Sequence, residues 1–240
     1  MEARHPALPA ERPLMIAHRA GNSPALALDA IAAGADLIEA DVWRYRSRLE
    51  IRHVKTMGPV PLLWDRWELH PGWSPRFQLA ALLEHIPSDQ RLLLDLKGQD
   101  RNLGPEIVET ILTLRPERRI IVCGRTWSQL DRIVDIPGIC IFYSVGSDEE
   151  LATIWERIRL MRHPVVSINR RYLTPELMRR FKDIETTVVS WAINTLDDAK
   201  RFHEMGVDGF TSENLELIAR ITRLRERAFD EPPPSTADGR

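Results

Sequence analysis

Eight short apolar runs recur along this chain, at residues 14–17, 37–41, 92–96, 120–123, 139–143, 165–168, 187–193 and 207–211, each followed by a helix-like stretch. Such runs, bounded by turn signals, read as strands buried on both faces. Parallel strands need a crossover of about a dozen residues or more, usually a helix. Eight strand-helix units close a barrel of about 250 residues, and 240 residues supply one such domain. The sequence thus predicts an α/β fold, a single (β/α)8 TIM-type barrel over residues 14–230. Residues 1–13, rich in Pro, Ala and charge, are expected to be flexible, and the Pro-rich tail 231–240 disordered.

Helix boundaries carry their own signals. Ser23 precedes Pro24 and the following helix stops at Gly34; Thr174-Pro175 repeats the start; Ser147 with Glu150 fits a capping box; Thr195 caps a helix that stops at Gly206. One segment breaks the rhythm. LEIRHV, residues 49–54, lies too close to the strand ending at Asp41 for a crossover helix, so it is expected to form a small antiparallel hairpin with that strand. Arg44, Arg46 and Arg48, beside Trp43 and Tyr45, then form a solvated hairpin face. Residues 55–76, with Trp64, Trp67 and Trp73, read as a long loop over the barrel mouth.

Composition excludes several classes. Lys plus Arg total 33 against 35 for Asp plus Glu, a net charge of -2, so no global field draws in nucleic acid or an anionic membrane. No run approaches the ~18 apolar residues of a membrane span. The first residues, MEARHPALPAERP, resemble neither a signal peptide nor an anchor, so a cytoplasmic protein without a stable membrane anchor is expected. Cys123 and Cys140 lie inside apolar runs and are expected as a buried, reduced pair.

Polar residues stand at the ends of the early runs: His18-Arg19, Glu39 and Asp41, His53, then Asp95 and Lys97. Strand residues two apart face the same way, so Glu39 pairs with Asp41, and Asp95 with Lys97. Three carboxylates converging at a barrel end suit Mg²⁺ or Ca²⁺; the rival reading is a salt bridge to a neighbouring Arg or Lys. Two histidines at other exits suit division of proton transfer, each role worth about 10²–10⁴ in rate. Arg19 and Lys97 add the positive charge that a phosphate needs. The ensemble points to phosphodiester cleavage of a small-molecule substrate.

The motifs IAHRAGNSP, LIEADVW, LEIRHV, LLLDLK, VVSWAIN and GVDGFTSEN, spread over roughly residues 14–218, resemble the glycerophosphodiester phosphodiesterase family. The resemblance implies a TIM-type barrel, one divalent cation, two catalytic histidines, and hydrolysis of glycerophosphodiesters to glycerol 3-phosphate and an alcohol. It assigns His18 and His53 as the catalytic pair and Arg19 as the phosphate-binding arginine. Glu39, Asp41 and Asp95 become the metal ligands, Lys97 the lysine beside the site and Trp191 an aromatic near the substrate. Departures from the family pattern are Ala20 for the usual glycine, with Gly21 following; Pro24-Ala25-Leu26-Ala27 for a polar Pro-Glu-Asn-Thr; Val54 for an aspartate; Asp95 for a glutamate; and Thr211-Ser212-Glu213-Asn214 for Thr-Asp-x-Pro. They motivate two rival readings, a lysophospholipase D-like enzyme and a barrel that binds metal and phosphate without turnover.

Overall fold

The computed structural model describes residues 5–56, 62–65, 68–71 and 76–225. In chain order the elements are β1 (Leu14–Ala17), α1 (Pro24–Ala32), β2 (Leu37–Tyr45), β3 (Arg48–Ile51), β4 (Lys55–Thr56), β5 (Leu62–Asp65), β6 (Glu68–Pro71), α2 (Leu79–His85), β7 (Arg91–Leu96) and α3 (Leu103–Leu114). There follow β8 (Ile121–Gly124), α4 (Trp127–Leu130), β9 (Cys140–Val145), α5 (Asp148–Ile158), β10 (Val165–Asn169), α6 (Pro175–Asp183), β11 (Thr187–Trp191), α7 (Leu196–Glu204), β12 (Gly209–Ser212) and α8 (Leu215–Leu224). Pairing runs β1-β12-β11-β10-β9-β8-β7-β2, and β1 also pairs with β2, so eight parallel strands close into a barrel. The TIM-type fold expected from the apolar runs is the one observed.

Two layers of core follow from strand alternation. Leu14, Ile16, Leu37, Leu93, Ile121, Cys123, Cys140, Phe142, Val165 and Val189 fill the lumen, while the other strand faces pack on the helices. Ala7 and Leu8 join the lumen cluster and are buried, and Arg91 Nε donates to the Ala7 carbonyl at 2.9 Å. The Ala7 and Leu8 side chains thus cover apolar surface that the strands alone leave open. Residues 1–4, the end of the expected domain at 226–230 and the expected tail at 231–240 lie outside the described residues. Both cysteines are free and buried.

The hairpin takes the expected form. β2 runs on to Tyr45 and pairs antiparallel with β3, Val42 opposite Ile51. Glu50 and Arg52 are both buried and form a 2.9 Å ion pair, with the Arg52 guanidinium over the Trp43 ring. Arg44 bonds Asp100 at 2.6 Å and Glu106 at 2.5 Å, so one member of the expected solvated arginine row ties the hairpin to α3. The expected long loop at 55–76 contains instead a three-stranded antiparallel sheet, β4-β5-β6. Strand-forming Leu62 and Trp64, the latter beneath Lys55, outweigh the Pro-rich composition there. Trp67 and Trp73 lie outside the described residues.

Candidate active site

β2 and β7 place the acids. Asp41 and Asp95 are register partners on adjacent parallel strands, and Glu39 precedes Asp41 by one pleat on the same face. Oxygen atoms of Glu39, Asp41 and Asp95 all lie within 4.8 Å of one another, with Glu39 and Asp41 buried. Lys97 Nζ stands 2.8 Å from Asp41 Oδ1 and also pairs with Asp95. The salt bridge considered as a rival to metal binding is therefore present, but one lysine faces three carboxylates.

The electrostatic consequence is read on each group. Burial, then repulsion from Asp41 and Asp95, holds the Glu39 carboxyl well above the usual carboxylate range. Burial raises the Asp95 carboxyl too, against the pull of Lys97. Burial alone would lower the Lys97 ammonium, but Asp95, Asp41 and Glu39 outweigh it and push it upward, keeping it charged. Glu39 Oε1 is buried and has no hydrogen-bond partner among the described residues. An orphaned buried carboxylate oxygen beside two more carboxylates is a donor set for a hard divalent cation. The residues present fit such an ion.

The turn after β1 brings the histidine and arginine. His18 N–H donates to the Ser212 carbonyl at 2.8 Å, which continues the β1-β12 ladder to the rim. Arg19 has φ 56°, and its N–H donates to Glu39 Oε2 at 2.5 Å. Residues Ala20–Asn22 then form a 3-10 turn pressed on β2. A Cβ on Gly21 would sit 2.7 Å from the Ala40 Cβ, so close approach places the glycine at 21. Ala20 is buried without such a conflict, which accounts for the shifted motif.

His18 Nδ1 lies 2.9 Å from Glu213 Oε1 and Nε2 lies 3.9 Å from Glu39 Oε2. A carboxylate only accepts, so Nδ1 carries the proton and the Nε2 lone pair faces the acid cluster. Burial and Arg19 lower the His18 pKa, while Asp41 and Glu213 oppose them. Arg19 Nε is 4.0 Å from Asp41 Oδ2, buried and without a hydrogen-bond acceptor among the described residues. His53 is half-buried and follows Arg52, whose N–H donates to the Asp41 carbonyl at 3.0 Å. Trp191 ends β11, on the other side of the same mouth. The structure thus brings His18, Arg19, Glu39, Asp41, Asp95 and Lys97 into one contact network, with His53 at the rim beside it and Trp191 outside it.

Two residues of this network were not singled out from the sequence. Asn22 Nδ2 donates to Asp41 Oδ2 at 2.7 Å while its Oδ1 accepts from the Asp41 N–H at 2.8 Å, a two-point clamp. Glu213 receives His18 and stands 3.6 Å from Arg19 Nη1; its own N–H donates to Asn194 Oδ1. Glu213 had a signal, a carboxylate just past the last apolar run. Asn22 had only its place in the turn.

No protein-family model matches the sequence, nor does any curated relative. Solved structures do match in fold. One is a phosphodiesterase from Oleispira antarctica in complex with the product sn-glycerol-3-phosphate, with TM-score 0.69, 19% identity and coverage of 92% of this chain and 98% of that one. A glycerophosphodiester phosphodiesterase from Thermotoga maritima has TM-score 0.69, 16% identity and coverage of 87% and 97%. Another, from Parabacteroides distasonis, has TM-score 0.66, 18% identity and coverage of 90% and 99%. This chain has their fold.

Proposed function

We propose that this protein is a divalent-cation-dependent phosphodiesterase that hydrolyses glycerophosphodiesters to glycerol 3-phosphate and an alcohol. The observation that carries the reading is the convergence of Glu39, Asp41 and Asp95 with His18, Arg19 and Lys97 at one barrel mouth. Glu39, Asp41 and Asp95 would hold one Mg²⁺ or Ca²⁺, which when bound supplies Lewis-acid polarisation of the phosphoryl oxygens.

The chain's own groups do the rest. Arg19 and Lys97 hold the phosphate oxygens, and Lys97 stays charged among its acids. His18 is kept neutral by burial, with Nε2 free, and takes the proton from the attacking oxygen. His53 is assigned the complementary role, donating a proton to the leaving oxygen. The attacking group is water, which needs one transfer from each histidine, or a hydroxyl of the substrate itself, which expels the alcohol and leaves a cyclic phosphate that water opens in a second step with the roles of the two histidines exchanged.

One departure that favoured a barrel without turnover has a local replacement: Gly21 supplies the close approach beside Ala20. A second reading, a lysophospholipase D-like reaction, draws support from Leu26 and Leu28 of α1, which are 50% and 57% exposed. Among the described residues no helix is long and apolar enough to cross a membrane.

The test is alcohol release from glycerophosphoglycerol, glycerophosphocholine and lysophosphatidylcholine with Mg²⁺, Ca²⁺ or EDTA. Turnover of a glycerophosphodiester is expected only with a cation, and His18→Ala is expected to lower it by about 10²-fold or more. Turnover confined to the lysolipid would favour the second reading. Cleavage that persists in EDTA or in His18→Ala would overturn the proposed mechanism.

A further inference from the structure

The acids, His18, Arg19 and Lys97 occupy the β1, β2 and β7 side of the mouth, and a different chemistry gathers at the ends of β8–β11. Cys123 and Val189 face the lumen, so the alternation continues one pleat further to Arg125 and Trp191. Both meet at Gly146, the residue after β9. A Cβ there would lie 3.1 Å from the Arg125 guanidinium and 3.2 Å from the Trp191 ring. The missing side chain is what lets a guanidinium and an indole edge close over one peptide unit. That unit is fixed at both ends: the Gly146 N–H donates to Glu150 Oε2 at 2.6 Å, and its carbonyl accepts from Arg171 Nη2 at 2.9 Å.

Both arginines are exposed, and neighbouring groups orient each of them. Arg125 donates Nε to Glu150 Oε1 at 2.9 Å and Nη2 to Glu150 Oε2 at 3.0 Å, which sets the plane of the guanidinium and leaves Nη1 without a partner among the described residues. Arg171 lies over the Tyr172 ring at 4.6 Å and forms no ion pair among the described residues. Among the described residues Arg125 has Glu150 as its carboxylate partner and Arg171 has none, so positive charge is in excess here, across the mouth from the acid cluster. An eight-stranded barrel has room for its own side chains or one small ligand, and these residues share its mouth with the acid cluster.

We propose that Arg125, Arg171 and Trp191 form a subsite that selects glycerophosphodiesters whose alcohol carries a second anionic group, such as a phosphomonoester. The arginines receive that group through Arg125 Nη1 and the free Arg171 donors, and Trp191 covers the intervening carbons. The inference rests on the proposed reaction and names its substrate class.

The experiment compares glycerophosphoglycerol with its analogue bearing a terminal phosphate. In the wild type, kcat/KM for the phosphate-bearing diester is expected to exceed that for the neutral one by about tenfold, the worth of a charge-assisted contact. In the Arg125→Gln, Arg171→Gln double variant, with its fold checked by circular dichroism and melting temperature, that ratio is expected to fall to about one. A second arm needs no turnover: the same two diesters are titrated calorimetrically into His18→Ala protein in Ca²⁺, with and without the double substitution. Tighter binding of the phosphate-bearing diester that disappears with the arginines supports the subsite even if neither diester is cleaved, an outcome that would count against the reaction alone. Equal binding of both diesters, no binding of either, or a preference that survives loss of both arginines would overturn the inference.

Discussion

Asn22 and Glu213 touch site residues rather than any reacting atom, and each fixes one. Asn22 clamps Asp41 through both its carboxylate and its backbone; Glu213 selects the His18 tautomer. Outer partners of this kind are worth about 10–100-fold in activity or metal affinity. Glu213→Gln is expected to lower kcat by about tenfold. It also has a pH signature. The Glu213 carboxylate raises the His18 pKa, so removing its charge lowers that pKa. The acid limb of the rate profile, where His18 loses its proton to become a base, should move to lower pH. A loss of rate with an unmoved limb would mean that Glu213 only props the loop. The place of Glu213 past the last apolar run is legible in the sequence, but its pairing with His18 is not, because the two are 195 residues apart and meet only when β1 pairs with β12.

At the scale of elements, the β2-β3 hairpin is the piece whose integrity the site requires most. Glu50 and Arg52 have only 3% and 4% of their side-chain surface exposed, and Arg52 also lies over Trp43. Removing one partner of a buried pair strands the other charge, so Arg52→Ala is expected to cost about 3 kcal/mol in urea unfolding. Activity should fall with it, because the Arg52 guanidinium also holds the Val54 carbonyl, one residue past His53. Unchanged stability would show that Glu50 finds water in place of its partner. The elements themselves were largely legible. Apolar runs marked the eight barrel strands because strands buried on both faces cannot hide their composition, and short spacing after Asp41 marked the hairpin. The β4-β5-β6 sheet was not legible, since Pro and Trp obscure its alternation. The burial of Ala7 and Leu8 was not legible either, because Pro and charge dominate the composition around them.

For the whole molecule, the acid cluster links stability to both metal and pH. Unfolded carboxyls titrate near about 4, whereas burial and mutual repulsion hold Glu39 and Asp95 above their ordinary values in the fold. As pH rises from about 4 through the folded values, the folded metal-free state retains protons that the unfolded chain has released, so stability falls across that window. A divalent cation displaces those protons and reverses the penalty. The rise in melting temperature on adding Ca²⁺ or Mg²⁺ is therefore expected to be larger at pH 8 than at pH 5, and equal melting with cation or EDTA at pH 8 would contradict it. The measurement that bears most directly on the central claim is a titration of metal-free protein with Mg²⁺ or Ca²⁺ that follows calorimetric binding and glycerophosphodiester cleavage on the same sample, beside Glu39→Gln and Asp95→Asn. Binding and turnover are expected to rise together to saturation by a single ion in the wild type, and both to weaken sharply in the variants. Full turnover before any cation is added, or turnover in the variants equal to the wild type, would contradict the assignment of these carboxylates as the metal site of a phosphodiesterase.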